Sequence, residues 1–201
     1  MNVEVKIDVK QVLAAMDNMR KRALNLRPFM GAVGMIMIKS THENFEAEGR
    51  PAKWIGWSPL TKKIYDGQAM DNAIGKGLKS KHKTQKGRAN FIHKQYKNNL
   101  VALGARKILQ SSGGLKKSIV IGKLTSSSVE VGSSLEYSRI QQVGGVILPK
   151  KAKSLAIPLA GGFLKLKKTK LPARPYLKLQ QSDNETILRV AKDYLERGVI
   201  G

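Results

Sequence analysis

Apolar residues recur with a clear period at both ends of the chain, and the period fades in a long basic middle. Val3, Val5, Ile7 and Val9 alternate with polar residues and predict a half-buried strand. Val12, Leu13, Met16 and Met19 fall at helical spacing within residues 10–26 and predict a first amphipathic helix. Pro28 is placed to open a second helix reaching about residue 46, with Phe29, Val33, Ile36, Met37 and Phe45 on its apolar side. Met30, Met35 and Met37 read as adaptable core or interface filler.

Residues 45–61, FEAEGRPAKWIGWSPLT, form the hinge of the pattern. Both tryptophans, Trp54 and Trp57, lie here among the turn formers Gly49, Pro51, Gly56 and Pro59, so residues 49–59 predict a loop. The indoles have two readings. They pack on the body with their N–H groups on carbonyls, or they anchor a partner subunit, where Trp is enriched at hot spots. Beyond them, residues 64–107 are punctuated by Gly67, Gly75, Gly77 and Gly87. Only 90–103 keeps a weak helical spacing, through Phe91, Tyr96 and Leu100. This stretch predicts an exposed basic arm, helical near its end and ordered on binding.

The second half reads as short strands and a closing helix. Residues 118–122 and 128–132 are β-branched runs around a polar turn and predict a hairpin. Residues 137–143 predict a helical turn ended by Gly144 and Gly145. Residues 146–148, 155–159 and 163–168 predict strands, with Pro149 and Pro158 favouring edge positions. Ser182 and Glu185 read as the capping box of a last helix that Gly198 stops. There are no internal repeats. The fold class is α+β: a small, mostly antiparallel sheet with helices on one face, plus a basic inserted arm. At 201 residues this predicts one domain over 1–201 with an insertion at about 64–107.

Charge changes the picture most. The formal net charge is +23, with no Asp or Glu between Asn72 and Val129 or between Tyr137 and Ser182. Such a chain repels its own copies and calls for an acidic partner: nucleic acid, an acidic protein surface or an anionic membrane. Lys76, Lys79, Lys81, Lys83, Lys86 and Arg88, with Lys165, Lys167 and Lys168, are the candidate contacts to DNA or to an acidic partner. Few aromatics interleave with them, which favours duplex DNA or protein over stacked single strands.

Enzyme chemistry finds little support. The absence of cysteine excludes a disulfide framework, a thiolate metal site and a thiol nucleophile. His42 near Glu43 and Glu46 reads as an ordinary helical surface, since a metal site needs two or three convergent ligands. Gly75-Lys76-Gly77 lacks the spacing of a phosphate loop. Ser111 and Ser112 have no base and acid to activate them. The expectation is no enzyme, no catalytic residue, no cofactor and no metal. No secretory signal is visible, and the longest apolar run, 29–38, is far short of the about 20 residues that span a bilayer, which predicts a soluble protein with no membrane partner.

Three blocks carry a resemblance. The first is the acidic-aromatic helix end followed by Gly-Arg-Pro, Trp and Ser-Pro-Leu-Thr within 45–61. The second is ILQSSGGLKKSI at 108–119. The third runs from YSRIQQVGG at 137–145 to LPARPYL at 171–177. In this order they resemble the phage virion morphogenesis family, the tail completion proteins of Mu-like and related tailed phages. The segment 64–107 is longer and more basic than the family pattern, and nothing carries over onto it.

The resemblance implies a tail completion or head–tail joining subunit in the virion neck or tail end, assembled in the host cytoplasm. It implies a homo-oligomeric ring, a hexamer, around the DNA channel. Neighbouring neck, portal-side or tail-tube proteins would be its partners, with nonspecific contact to genomic DNA. Trp54, Trp57, Arg50, Tyr137 and Arg174 are the candidate assembly contacts. Within 173–177, Tyr176 and Leu177 are expected in the core and Arg174 on a carboxylate or carbonyls. Composition alone favours a rival: a free protein that binds nucleic acid without sequence preference.

Overall fold

The computed structural model describes residues 9–159 and 162–200. The strand expected over 3–9 lies outside them except for Val9, which caps the first helix. In chain order the elements are α1 (Lys10–Leu24), α2 (Arg27–Glu46), α3 (Pro59–Leu78), α4 (Gln85–Gly104) and α5 (Gly114–Lys117). There follow β1 (Val120–Leu124), β2 (Val129–Gly132), α6 (Ser138–Val143), β3 (Gly145–Ile147), β4 (Leu155–Leu159), β5 (Gly162–Leu166), β6 (Thr169–Leu171) and α7 (Gln181–Arg197). The fold is α+β. Every described ladder is antiparallel, and the strands divide into three two-stranded sheets, β1–β2, β3–β6 and β4–β5. The chain forms two compact units.

The first unit takes Met1–Asn44, Lys117–Ser134 and Leu177–Gly201. Its frame is α2 against α7, running antiparallel. Phe29 stacks on Tyr194 near one end (6.4 Å between centroids), and the Ser40 hydroxyl donates to the Asp183 carboxylate near the other. The β1–β2 hairpin lies on the glycine side of α2. A Cβ on Gly34 would come within 2.7 Å of the Ile121 side chain, so this approach requires glycine. The hairpin turn is a network in which Thr125 Oγ1 accepts from the Ser127 and Ser128 amides. α1 is tied to the unit at its C-terminal end, where Arg22 donates to the Leu195 and Glu196 carbonyls at 2.8 Å each.

The cap of α7 corrects the sequence expectation. The capping box is Gln180 with Asp183, two residues upstream of the expected Ser182 with Glu185. Asp183 accepts from the Gln180 amide and from Ser40, so one carboxylate both caps α7 and ties it to α2. Gly198 ends the helix in the left-handed conformation, as expected.

The second unit takes Phe45–Lys116 and Leu135–Tyr176. Here the expectation of an arm helical only near its end is overturned. Residues 59–104 fold as a helical hairpin, with α3 and α4 of 20 residues each. Ser58 caps α3 by accepting from the Thr61 amide, and Thr84 caps α4 by accepting from the Gly87 amide. The inner face of α3 is small: Ala69, Ala73 and Gly77 are buried at successive i+4 positions. A Cβ at Gly77 would collide with Ile92 of α4. Small residues let two helices approach closely, so the hairpin packs without a bulky apolar stripe. Polar bonds then lock the register: Asn99 donates to the Ala69 carbonyl at 2.9 Å, and Tyr96 donates to Asp66 at 2.5 Å.

Candidate assembly site

The core of the second unit is built around Phe45, which is fully buried at the end of α2. Trp54 meets it edge-on, with centroids 5.7 Å apart and planes at 82°. Tyr176 stacks on its other side at 5.3 Å. Trp54 is brought there by a tight turn in which its amide donates to the Glu48 carbonyl at 2.7 Å, and its indole N–H donates to the Pro175 carbonyl. The Arg50–Pro51 bond within this turn is cis, and Arg50 is half-buried.

The closing segment 172–176 is laid against α6 by its own polar groups. Arg174 N–H donates to the Gln141 carbonyl at 2.9 Å, and the Tyr176 amide donates to Gln142 Oε1 at 2.9 Å. The Tyr176 hydroxyl donates to the Ser138 carbonyl at 3.0 Å, and burial pushes its pKa up. The Arg174 guanidinium turns inward and donates to the Ile55 and Gly56 carbonyls, both at 3.1 Å. Burial holds its pKa below the usual arginine value, yet the carbonyl pair satisfies the cation. Arg174 therefore fixes the loop between the two tryptophans, while Trp54 fixes its other end.

What this scaffold presents is a cleft of about 270 Å³. Its walls come from four separated stretches: Trp57 to Tyr65, Lys107 to Leu115, Tyr137 with Gln141, and Leu171 with Arg174. Apart from Tyr65 and Lys107, the lining residues fall within the three resembling blocks, brought to one place. Trp57 leans edge-on against Tyr65 (4.9 Å, 70°) at the mouth, and Tyr137 is 46% exposed. Gln141 Oε1 is buried with no donor among the described residues. Leu109 holds a positive φ of 62°, a conformation that L side chains resist and that is concentrated at functional sites. An indole, a phenol, apolar walls and an orphan acceptor suit a peptide segment: an apolar side chain with an N–H beside it.

An acidic anchor braces this cleft. Glu46, at the end of α2, accepts from Lys107 at 2.5 Å and from Lys116. These two lysines hold its carboxyl at about 2, Lys107 having the larger effect. Glu48 accepts from the Ile108 amide at 2.6 Å, and Gln110 donates to the Phe45 carbonyl at 2.6 Å. The stretch 107–110 is thus pinned to the start of the tryptophan loop.

The expected site residues divide accordingly. Trp54 and Arg174 are buried, at 8% and 7% exposure, and serve the scaffold. Trp57 and Tyr137 line the cleft. Leu109 and Gln141 were not singled out from the sequence, because their role depends on backbone placement and burial. Lys76, Lys79, Lys81, Lys83, Lys86 and Arg88 all lie exposed around the tip of the α3–α4 hairpin. Lys165 alternates with the half-buried Leu164 and Leu166 on β5, and Lys167 and Lys168 follow it, exposed. Among the described residues no group of three or more His, Cys, Asp or Glu could hold a metal, and no helix is long and apolar enough to cross a membrane.

Comparison with known proteins bears on most of the chain. The model of the phage virion morphogenesis family matches residues 7–108 and 102–196. No curated protein and no solved structure matches.

Proposed function

The chain belongs to the phage virion morphogenesis family and is a phage structural or assembly protein, and from that premise we propose that it is a tail completion or head–tail joining subunit. In this reading copies form a closed ring around the DNA channel at the neck. The ring joins neighbouring neck, portal-side or tail-tube proteins and performs no enzymatic reaction. The observation that carries it is the cleft. The stretches in which this chain resembles the family converge on one partly open site, with the half-buried Trp57 and the exposed Tyr137 beside a buried orphan acceptor. A segment of an adjoining virion protein that brings an apolar side chain and an N–H group completes that site.

The basic hairpin supports the same reading. Its lysines carry no carboxylate partner among the described residues, and a ring concentrates them. They need an anionic surface, either on a neighbouring protein or along the DNA path. Trp57→Ala tests the proposal in the infected cell. The expected outcome is a folded, soluble subunit and an accumulation of unjoined heads and tails. Normal joining by both Trp57→Ala and Tyr137→Ala overturns the cleft as the joining site.

The exposed lysines also favour a second reading, a free protein that binds duplex nucleic acid. Assembly state separates the two. A salt-resistant oligomer supports the neck subunit, and a monomer with tight, steeply salt-dependent DNA binding supports the rival.

A further inference from the structure

α4 has two unlike sides. Ile92, Tyr96, Asn99 and Leu103 share the side turned to α3: Ile92 lies over Gly77, Tyr96 donates to Asp66, Asn99 donates to the Ala69 carbonyl, and Leu103 is buried. Their spacing of four and three puts Lys86, Asn90, Lys94 and Lys97 on the far side of the helix. These four residues, with His93 and Asn98 beside them, are all exposed. Asn90, His93, Lys94, Lys97 and Asn98 alone line a shallow concavity of about 350 Å³. From Lys86 to Lys97 the face is ~16 Å long.

The positive charge of this face is not offset. α4 contains no Asp or Glu. The carboxylates of its unit are Glu46, Glu48, Asp66, Asp71 and Glu136. Glu46 holds Lys107 and Lys116, Glu48 accepts from the Ile108 amide, and Asp66 accepts from Tyr96 on the inner side. Asp71 stands two positions from Ala69 and from Ala73, which puts it on the side of α3 away from α4. Among the described residues no carboxylate pairs with Lys86, Lys94 or Lys97.

The make-up of the face decides which anion it fits. Protein interfaces are depleted of lysine and centre on aromatic residues, Met and Arg. None of these stands on this face, and the exposed large apolar residue of α4 is Val101, one turn beyond Lys97. Single strands bind by stacking their bases on aromatic rings. Both rings of α4 are engaged elsewhere, Phe91 against His82 at 5.1 Å and Tyr96 on Asp66. What remains is a row of cations and amide donors on one helix, the groups that contact phosphate oxygens of duplex DNA.

We propose that the outer face of α4 binds the phosphate backbone of duplex DNA without sequence preference. Lys86, Lys94 and Lys97 neutralise phosphates, and Asn90 and Asn98 donate to phosphate oxygens. Lys81 and Lys83 at the hairpin tip extend the same positive surface beyond Lys86. The neck reading leaves the anionic counterpart open between a protein and DNA; this proposal names DNA, and it rests on that reading only for where the duplex comes from.

Fluorescence anisotropy with short labelled duplexes of two unrelated sequences, followed over a range of salt, tests it on the full chain. Lys94→Gln/Lys97→Gln is compared with Lys62→Gln/Lys63→Gln, which removes the same charge from the exposed start of α3. The expected result is equal affinity for both sequences and a slope of log K against log salt that falls by up to about 1.8 in the α4 variant, 0.9 for each phosphate contact. The α3 variant keeps the wild-type slope, and Asn90→Ala/Asn98→Ala weakens binding with the slope unchanged. Equal losses in the two lysine variants overturn the α4 face in favour of total charge. Tighter binding to single-stranded poly(dT) or to polyglutamate, lost in Lys94→Gln/Lys97→Gln, overturns the duplex in favour of a single strand or an acidic protein. A wild type that binds no duplex at low salt overturns the proposal and leaves the joining cleft, read by Trp57→Ala, standing. A monomeric wild type that shows the expected losses keeps this face and removes the neck reading.

Discussion

The Asn99 side chain donates to the main-chain carbonyl of Ala69 at 2.9 Å, from the C-terminal half of α4 to the middle of α3. The bond fixes the register of a hairpin whose apolar contacts are small. Asn99→Ala should cost about 1 kcal/mol, the net worth of one such bond. Gly77→Leu should cost more, about 1–3 kcal/mol for overpacking, because its side chain meets Ile92. Hydrogen exchange of α3 and α4 amides checks both, and protection should fall across the whole hairpin.

That hairpin was hidden in the sequence for a physical reason. Period-based reading finds helices through bulky residues, and here the packing face is Ala69, Ala73 and Gly77. Gly77 looks like a breaker until the close approach of Ile92 is known. The signals that were legible are local: Ser58 with Pro59, and Thr84 three residues before Gly87, mark both helix starts. α2, the β1–β2 hairpin and α6 were legible because each is fixed by periodicity or turn residues within a few positions. β6 was not, since Thr169–Leu171 becomes a strand only by pairing with Gly145–Ile147 far upstream. The α7 cap was displaced because Ser182 is a good capping residue on its own, whereas Gln180 caps only with Asp183 held in place by Ser40. For the cleft, the order of the resembling blocks was visible and their convergence was not.

Tyr176 is 1% exposed and stacks on Phe45. Tyr176→Ala should destabilise the protein by about 3–5 kcal/mol, as for other buried aromatic truncations. Tyr176→Phe keeps the stack and loses only the bond to Ser138, a cost of about 1 kcal/mol. Equal melting temperatures for Tyr176→Ala and wild type would show that this ring is not part of the core.

Glu46 gives the protein a pH signature. Lys107 and Lys116 lower its carboxyl from 4.5 to about 2 in the folded state. A depressed carboxylate stabilises the fold above its unfolded pKa, and that contribution is lost as pH falls through the folded one. The stability difference between wild type and Glu46→Gln should therefore be present above pH 4.5 and vanish as pH approaches about 2. The carboxylate is exposed, so salt should shrink the difference at every pH. Acid denaturation of the two proteins at low and high salt reads this directly.

Lys79, Lys81, Lys83 and Lys86 are exposed at the hairpin tip, so replacing them with Gln should leave the melting temperature unchanged. Binding to duplex DNA should weaken, and the slope of log K against log salt should fall by up to about 0.9 for each phosphate contact removed. An unchanged slope places the anionic contact elsewhere, with Lys165, Lys167 and Lys168 as the next set to replace.

The central claim is that this chain closes the junction between head and tail as a ring. A cryo-electron microscopy reconstruction of the joined particle tests it most directly. The account predicts a closed ring of copies at the neck, with Trp57 and Tyr137 against a neighbouring chain and the basic hairpins turned toward the DNA path or an acidic subunit. A joined particle whose neck contains no copy of this chain would contradict it.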